Sequence, residues 1–291
     1  MNVLHVASEV APYSKTGGLG DVLGALPKAL AQTGEAKALV VSARYGSIET
    51  TAHAGQGLAR RLRTLSVPVG DRRFEVGLYE GRLPGSGPQV PLYLLDHPLF
   101  SDRPGIYGPP DRPGQDYPDN ALRFALLSRG ALALAQALDF RPDVVHLVAH
   151  KLVLYGSIAA ALTRAPAVVC AVAGMGYLFM GDGLKRQVLR GVVQRAYGGL
   201  VKRGGRVSVI LQNPDDQREL AAAGMIDPSQ VTMICGSGVD TQRFAPVPEP
   251  DGVPIVMTHS RMLVDKGIGE IAEAARILKE RGVVVRFRLI G

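Results

Sequence analysis

Short apolar runs alternate along this chain with stretches whose apolar residues recur every three or four positions. "NVLHVAS" has the length and β-branching of a strand, Asp21 to Gln32 keeps helical spacing and stops at Gly34, and "AKALVVSA" reads as a second strand. From about Arg61 to Leu95 come three strand-like runs, "RLRTLSVPV", "RRFEVGLYE" and "VPLYLLD", joined by Gly/Pro turns such as "GRLPGSGP". A loop rich in proline and glycine spans Pro98 to Pro118. "DNALRFALLSRGALALAQAL" then opens on a good N-cap residue and holds helical periodicity. "DVVHLV" predicts a strand, Val153 to Thr163 a helix, and "PAVVCAVA" a strand. "RVSVILQ" and "QVTMICGSG" are two more strands around a helix near Pro214 to Ala223.

Strands that are apolar almost throughout, alternating with helices, imply an α/β fold with a parallel sheet covered on both faces. Ligands of such sheets sit outside the carboxyl ends of the strands, so chemistry is expected just after each strand. Near "PVPEPDG", residues 246–252, the composition shifts to a proline-rich hinge, and a new unit follows: strand "PIVMTHS", helix "GIGEIAEAARILKERG", strand "VVVRFRLIG". The expected organisation is a large Rossmann-like domain over residues 1–250 and a first βαβ piece of a second over 251–291. A piece of roughly 40 residues is small for an independent core, so an incomplete second domain is expected.

The 291 residues are 46% hydrophobic and 20% charged, an ordinary globular balance. No run nears the roughly 18 apolar residues of a membrane span, and the N-terminal run is too short for a signal-peptide core; a cytoplasmic protein is expected. Cys170 and Cys235 each lie in a strand-like run and read as buried thiols in a reducing compartment. The net charge of +7 suits acidic partners. Leu184 to Arg206 carries seven basic residues (Lys185, Arg186, Arg190, Arg195, Lys202, Arg203, Arg206) and no acidic one. That segment reads as a solvated helix face or as a contact with anionic lipid or a phosphorylated substrate. Nucleic acid is not expected, because only Tyr197 accompanies these charges and no stacking platform is present.

The sharpest candidate chemistry is "KTGGLGD", from Lys15. Gly17 and Gly18 stand at a strand-to-helix turn, where unpaired backbone N–H groups and the positive end of the helix dipole meet a lysine. That is an anion site suited to a phosphate or diphosphate, or else a tight turn closed by glycines. It is neither a P-loop nor the dinucleotide fingerprint, since Gly18, Gly20 and Gly24 are spaced G-x-G-x-x-x-G. Arg261 and Lys266 in "SRMLVDKG" form a second constellation, again between a strand and a helix, able to converge on one anion. Cations so placed stabilise a leaving diphosphate as a metal does elsewhere. No D-x-D occurs, His146 and His150 straddle a strand end rather than a helix turn, and neither a metal site nor a cofactor is expected. His146 reads as a buried, hydrogen-bonded structural histidine; His150 is given no role.

The string "VLHVASEVAPYSKTGGLGDVLGALPKAL" resembles the opening of bacterial glycogen synthases and plant starch synthases, as do "VPLYLLDHPLFSDRPGIYG" and "DYPDNALRFALLSRGAL". The resemblance covers roughly residues 1 to 145. It implies two facing Rossmann-like domains, the GT-B arrangement, and retaining transfer of glucose from ADP-glucose to an α-1,4-glucan. Lys15, Gly17 and Gly18 would then contact the donor diphosphate and glucose, and Tyr117 and Asn120 would lie toward the acceptor. From about Pro142 the chain is instead similar to family-four glycosyltransferases of lipid-linked or surface polysaccharides, in "PDVVHLVAHKLVLYGSIAAALTRAPAVVCAVAGMGYLF", "GSGVDTQRFAP" and "SRMLVDKGIGEIAEAARILKERG". Both families imply that Arg261 and Lys266 neutralise the leaving diphosphate. Ala173 stands where glycogen synthases carry a histidine beside the reacting sugar, and the acidic E-x7-E segment of both families does not occur before Gly291. Weak binding and little turnover are therefore expected of this chain. A family-four transferase and a non-catalytic glucan- or nucleotide-binding remnant are the rival readings.

Overall fold

In a computed structural model of the chain, the residues described are 1–49, 57–112, 115–163, 165–172, 198–199, 206–236, 241–242, 244–260, 262 and 266–290. Two compact units divide it, Met1–Pro110 with Asp116–Ser237, and Asp111–Gln115 with Gly238–Gly291.

The larger unit is built on β1 (Asn2–Val6), β2 (Lys37–Ala43), β3 (Ala59–Val69), β4 (Arg72–Arg82), β5 (Pro91–Asp96), β6 (Val144–Val148), β7 (Ala167–Ala171), β8 (Val207–Leu211) and β9 (Val231–Met233). Among the described residues these form one nine-stranded sheet in the order β3-β4-β5-β2-β1-β6-β7-β8-β9. Every pairing from β5 to β9 is parallel, as the alternation of elements leads one to expect, but β3–β4 and β4–β5 are antiparallel. The sheet is thus mixed. The physical reason lies in the connections: only Gly70 and Asp71 separate β3 from β4, too few for the crossover a parallel pair requires.

Burial follows from this order. Successive side chains of a strand point to opposite faces. Val3 to Val6 of β1, Ala38 to Ala43 of β2 and Val145 to Val148 of β6 are buried without a break, so both faces of the sheet's centre are covered. In β4 only alternate residues, Phe74, Val76 and Leu78, are buried, the mark of a strand covered on one face.

Helix α1 (Gly18–Gln32) packs on β2; after the short helix α2 (Pro98–Ser101), α3 (Asn120–Ala137) packs on β1, β2, β3 and β5 and beside α4 (His150–Leu162). Helix α5 (Pro214–Ala222) packs on β8, its Asn213 cap accepting from the Asp216 N–H at 2.8 Å. Two helix starts, those of α1 and α4, differ from the sequence reading, and α4 begins at His150 rather than Val153. α1 begins at Gly18 rather than Asp21, because Gly18 to Gly20 take up the first turn and Asp21 lies inside it. α3 begins after Asp119, yet the Asp119 side chain makes no cap and instead receives Arg103 at 2.6 Å.

Cys170 is buried in β7, as expected. Cys235 is exposed, contrary to the sequence reading, because β9 ends at Met233 and leaves the thiol beyond the strand. In the smaller unit β10 (Ile255–His259) and β11 (Arg286–Ile290) pair in parallel through α6 (Ile268–Glu280), the expected βαβ piece. Ile255, Val256, Met257, Leu289 and Ile290 are all exposed in these strands. No helix among the described residues is long and apolar enough to cross a membrane.

Candidate functional site

The chain leaves β1 at the carboxyl edge of the sheet and returns through a compact turn before α1. Val10 and Ser14 pair across this turn by two backbone hydrogen bonds of 3.0 and 2.9 Å, and the Ala11 N–H donates to the Gly20 carbonyl at 2.9 Å. Gly20 and Gly24 make that packing feasible: a Cβ on Gly20 would stand 3.1 Å from the Ser14 carbonyl oxygen, and one on Gly24 2.9 Å from that of Ala11.

Gly17 and Gly18 differ. A Cβ on either would meet no atom within 4 Å, and Gly17 is extended at φ −169°, a conformation open to any residue. Neither packing nor backbone strain within the protein calls for glycine here. The bare backbone faces open space at the start of α1, where Gly17 is the N-cap and no side chain caps the helix. Lys15 stands beside it, its Nζ 2.8 Å from Asp21 Oδ2 with both side chains at least half exposed. Such an exposed pair contributes about 0–1 kcal/mol, so the amine is free to exchange Asp21 for another anion at little cost.

Beneath the turn lies a buried polar cluster that the sequence reading did not pick out. Glu9 accepts from the Thr16 N–H at 2.6 Å, the Thr16 hydroxyl at 2.8 Å and the Tyr107 hydroxyl at 2.7 Å. With its proton committed to Glu9, the Tyr107 oxygen accepts from Ser8 Oγ at 2.7 Å, and the Ser8 carbonyl accepts from Tyr45 at 2.9 Å. Burial first, then the Glu9 charge, push the Tyr107 phenol well above its usual range. The available signal was an acidic residue inside the apolar run "VASEVAP", directly after a strand.

Tyr117 and Asn120 are both buried. The Tyr117 hydroxyl accepts from the Gly105 N–H at 3.3 Å, and the Asn120 amide donates to the Tyr107 carbonyl at 2.7 Å. Asn120 Oδ1 receives the Arg123 guanidinium at 2.6 Å, and that buried guanidinium also donates to the carbonyls of Leu99 and Ile106. The two residues therefore shape the Pro98–Pro118 loop from within. Lys151, in the first turn of α4, reaches Asp116 at 2.6 Å, with its amine 5.4 Å from the centre of the Tyr107 ring. Ala149, between β6 and α4, has φ 73° and ψ 151°.

His146 is buried and hydrogen-bonded to His5, in keeping with the structural role expected of it. The side chain of His150, Ala173, Arg261 and nearly all of Leu184–Arg206 lie outside the described residues. In the smaller unit Lys266 is exposed, two residues before α6 and next to Gly267, whose φ of 72° makes the turn into that helix. Among the described residues no group of three or more His, Cys, Asp or Glu side chains is placed to hold a metal ion.

The α/β fold with its mixed sheet matches solved GT-B glycosyltransferase structures. The fold matches over the whole chain that of the catalytic domain of starch synthase IV from Arabidopsis thaliana bound to ADP and acarbose, at a TM-score of 0.70, 20% identity and 68% of that chain. It also matches the E. coli trehalose-6-phosphate structure bound with UDP-2-fluoro glucose, at a TM-score of 0.57 and 13% identity, over 99% of this chain and 64% of that one.

The family model described as the starch synthase catalytic domain matches residues 2–151, and the chain belongs to that family. The glycogen synthase of Anaeromyxobacter dehalogenans (strain 2CP-C) is 48% identical over 148 residues, and glycogen synthase 1 of Geobacter sulfurreducens 42% over 147. Each match takes up 50% of this chain and 28% of the relative, so the chain covers well under two thirds of these curated proteins. The family match ends at residue 151.

Proposed function

We propose that this chain contributes the donor-diphosphate turn of a retaining glucosyltransferase of the glycogen and starch synthase type, acting in the cytoplasm on ADP-glucose and an α-1,4-glucan. The observation that carries the reading is the pair Gly17 and Gly18. They are bare where the chain itself does not require glycine, at an uncapped helix start beside Lys15. A diphosphate needs close approach to backbone N–H groups, the positive end of a helix and a cation, and this turn supplies all three. Tyr117 and Asn120 are assigned to the acceptor side through the loop they shape. On the motif alone, Arg261 and Lys266 are assigned the charge of the leaving diphosphate. No cofactor or metal enters this reading.

Thermal shift with ADP, ADP-glucose and UDP on the wild-type chain and on Lys15→Ala tests it. A ligand that binds only the folded state raises stability by RT ln(1 + [L]/Kd), about 2.7 kcal/mol at a hundredfold excess over Kd. The expected result is an upward shift with the ADP ligands that Lys15→Ala removes. An equal shift in both proteins places the nucleotide elsewhere and overturns the assignment.

A further inference from the structure

Glu9 poses a problem in energetics. It is 2% exposed, and all three groups that donate to it are uncharged. Burying a carboxylate is costly unless its oxygens are fully hydrogen-bonded, and a neutral side chain would escape most of that cost. What the carboxylate offers is acceptor capacity without a donor: two oxygens able to take three hydrogens at once. A glutamine there has one acceptor oxygen and turns an NH2 group against another donor.

The bonds it makes lead in two directions. Both Thr16 bonds fall on the residue between Lys15 and Gly17, so they fix the path of the bare turn. The Tyr107 bond reaches the Pro98–Pro118 loop, where the Tyr107 carbonyl in turn receives Asn120 and the Tyr117 N–H. We propose that Glu9 is a positioning residue. Through Thr16 it sets the geometry of the Lys15–Gly18 diphosphate turn, and through Tyr107 it ties that turn to the acceptor-side loop. The proposal rests on the function proposed above.

The test uses the full chain and ADP as the probe. Titration calorimetry, unliganded melting temperature and hydrogen exchange at the Thr16 amide are measured on wild type, Glu9→Gln, Thr16→Val and Thr16→Ser. Losing one charge-assisted bond predicts about tenfold weaker ADP binding for Glu9→Gln, with faster exchange at Thr16. Thr16→Val, which takes one donor from Glu9, loses about threefold, and Thr16→Ser, which keeps both donors, binds as wild type does. Wild-type affinity in Glu9→Gln or Thr16→Val overturns the proposal, as does a loss in Thr16→Ser equal to that in Thr16→Val. If the wild-type chain binds no ADP, the function reading fails by itself. The exchange measurement then decides on Glu9, and Thr16 exchange unchanged in Glu9→Gln overturns its positioning role.

Discussion

His5 and His146 face each other across neighbouring central strands, Nδ1 to Nδ1 at 2.9 Å, with their rings nearly perpendicular. One Nδ1 donates and the other accepts; with both pKa values lowered, both imidazoles are neutral at pH 7 and of opposite tautomer. Desolvation, and for His5 secondarily the charge on His146, lowers the two pKa values to about 3 and about 4. Unfolded histidines titrate near 6.5.

Because the folded-state values lie below the unfolded one, the unfolded chain binds more protons in acid, and stability falls as pH drops. The loss is expected to set in below about pH 6.5 and to deepen toward pH 4, at up to ~1.4 kcal/mol per pH unit for each histidine. Urea midpoints at pH 7 and pH 4.5 check this. His5→Leu/His146→Leu is expected to lose clearly less than wild type between those two pH values, and an equal loss would assign the acid sensitivity to other groups.

The glycines of the first turn are expected to separate by role. Gly18→Ala places its methyl in open space, gains helix propensity, and keeps or raises the melting temperature while ADP binding falls. Gly24→Ala drives a Cβ against the Ala11 carbonyl oxygen and costs about 1–3 kcal/mol of stability. Paired melting and titration curves on the two variants read out both effects, and Gly18→Ala with full ADP affinity would refute a diphosphate at this turn.

Thiol labelling is expected to divide the two cysteines. Burial pushes the Cys170 thiol up to about 12, with Ser157 Oγ 3.7 Å away as its partner, whereas Cys235 is exposed. A maleimide should add one equivalent quickly to the native protein, at Cys235 by peptide mapping, and a second only in denaturant. Rapid double labelling of native protein would mean that β7 is open to solvent.

The Lys15–Gly18 turn was legible as a candidate because its residue types carry their reason locally. A lysine and two glycines between a strand and a helix suit an anion or close a tight turn, and "KTGGLGD" offers both readings within seven residues. Glu9 was not legible in that way: its significance rests on Tyr107, 98 positions away, and no periodicity links the two. Tyr117 and Asn120 were visible as candidates, but their burial, with the Arg123 guanidinium beside both, could not be read from a helix that in sequence is merely amphipathic. Cys235 was misread because an apolar run marks where a strand is allowed, whereas its end is set by where the neighbouring strand stops offering partners.

The conformation of Ala149 has a consequence for engineering. At φ 73° and ψ 151° it occupies backbone territory that is essentially glycine's, and such a residue costs about 1–3 kcal/mol to hold in place. The step from the central strand β6 into α4 is therefore a loaded spring, and deleting one methyl group there unloads it without touching the Lys15–Gly18 turn.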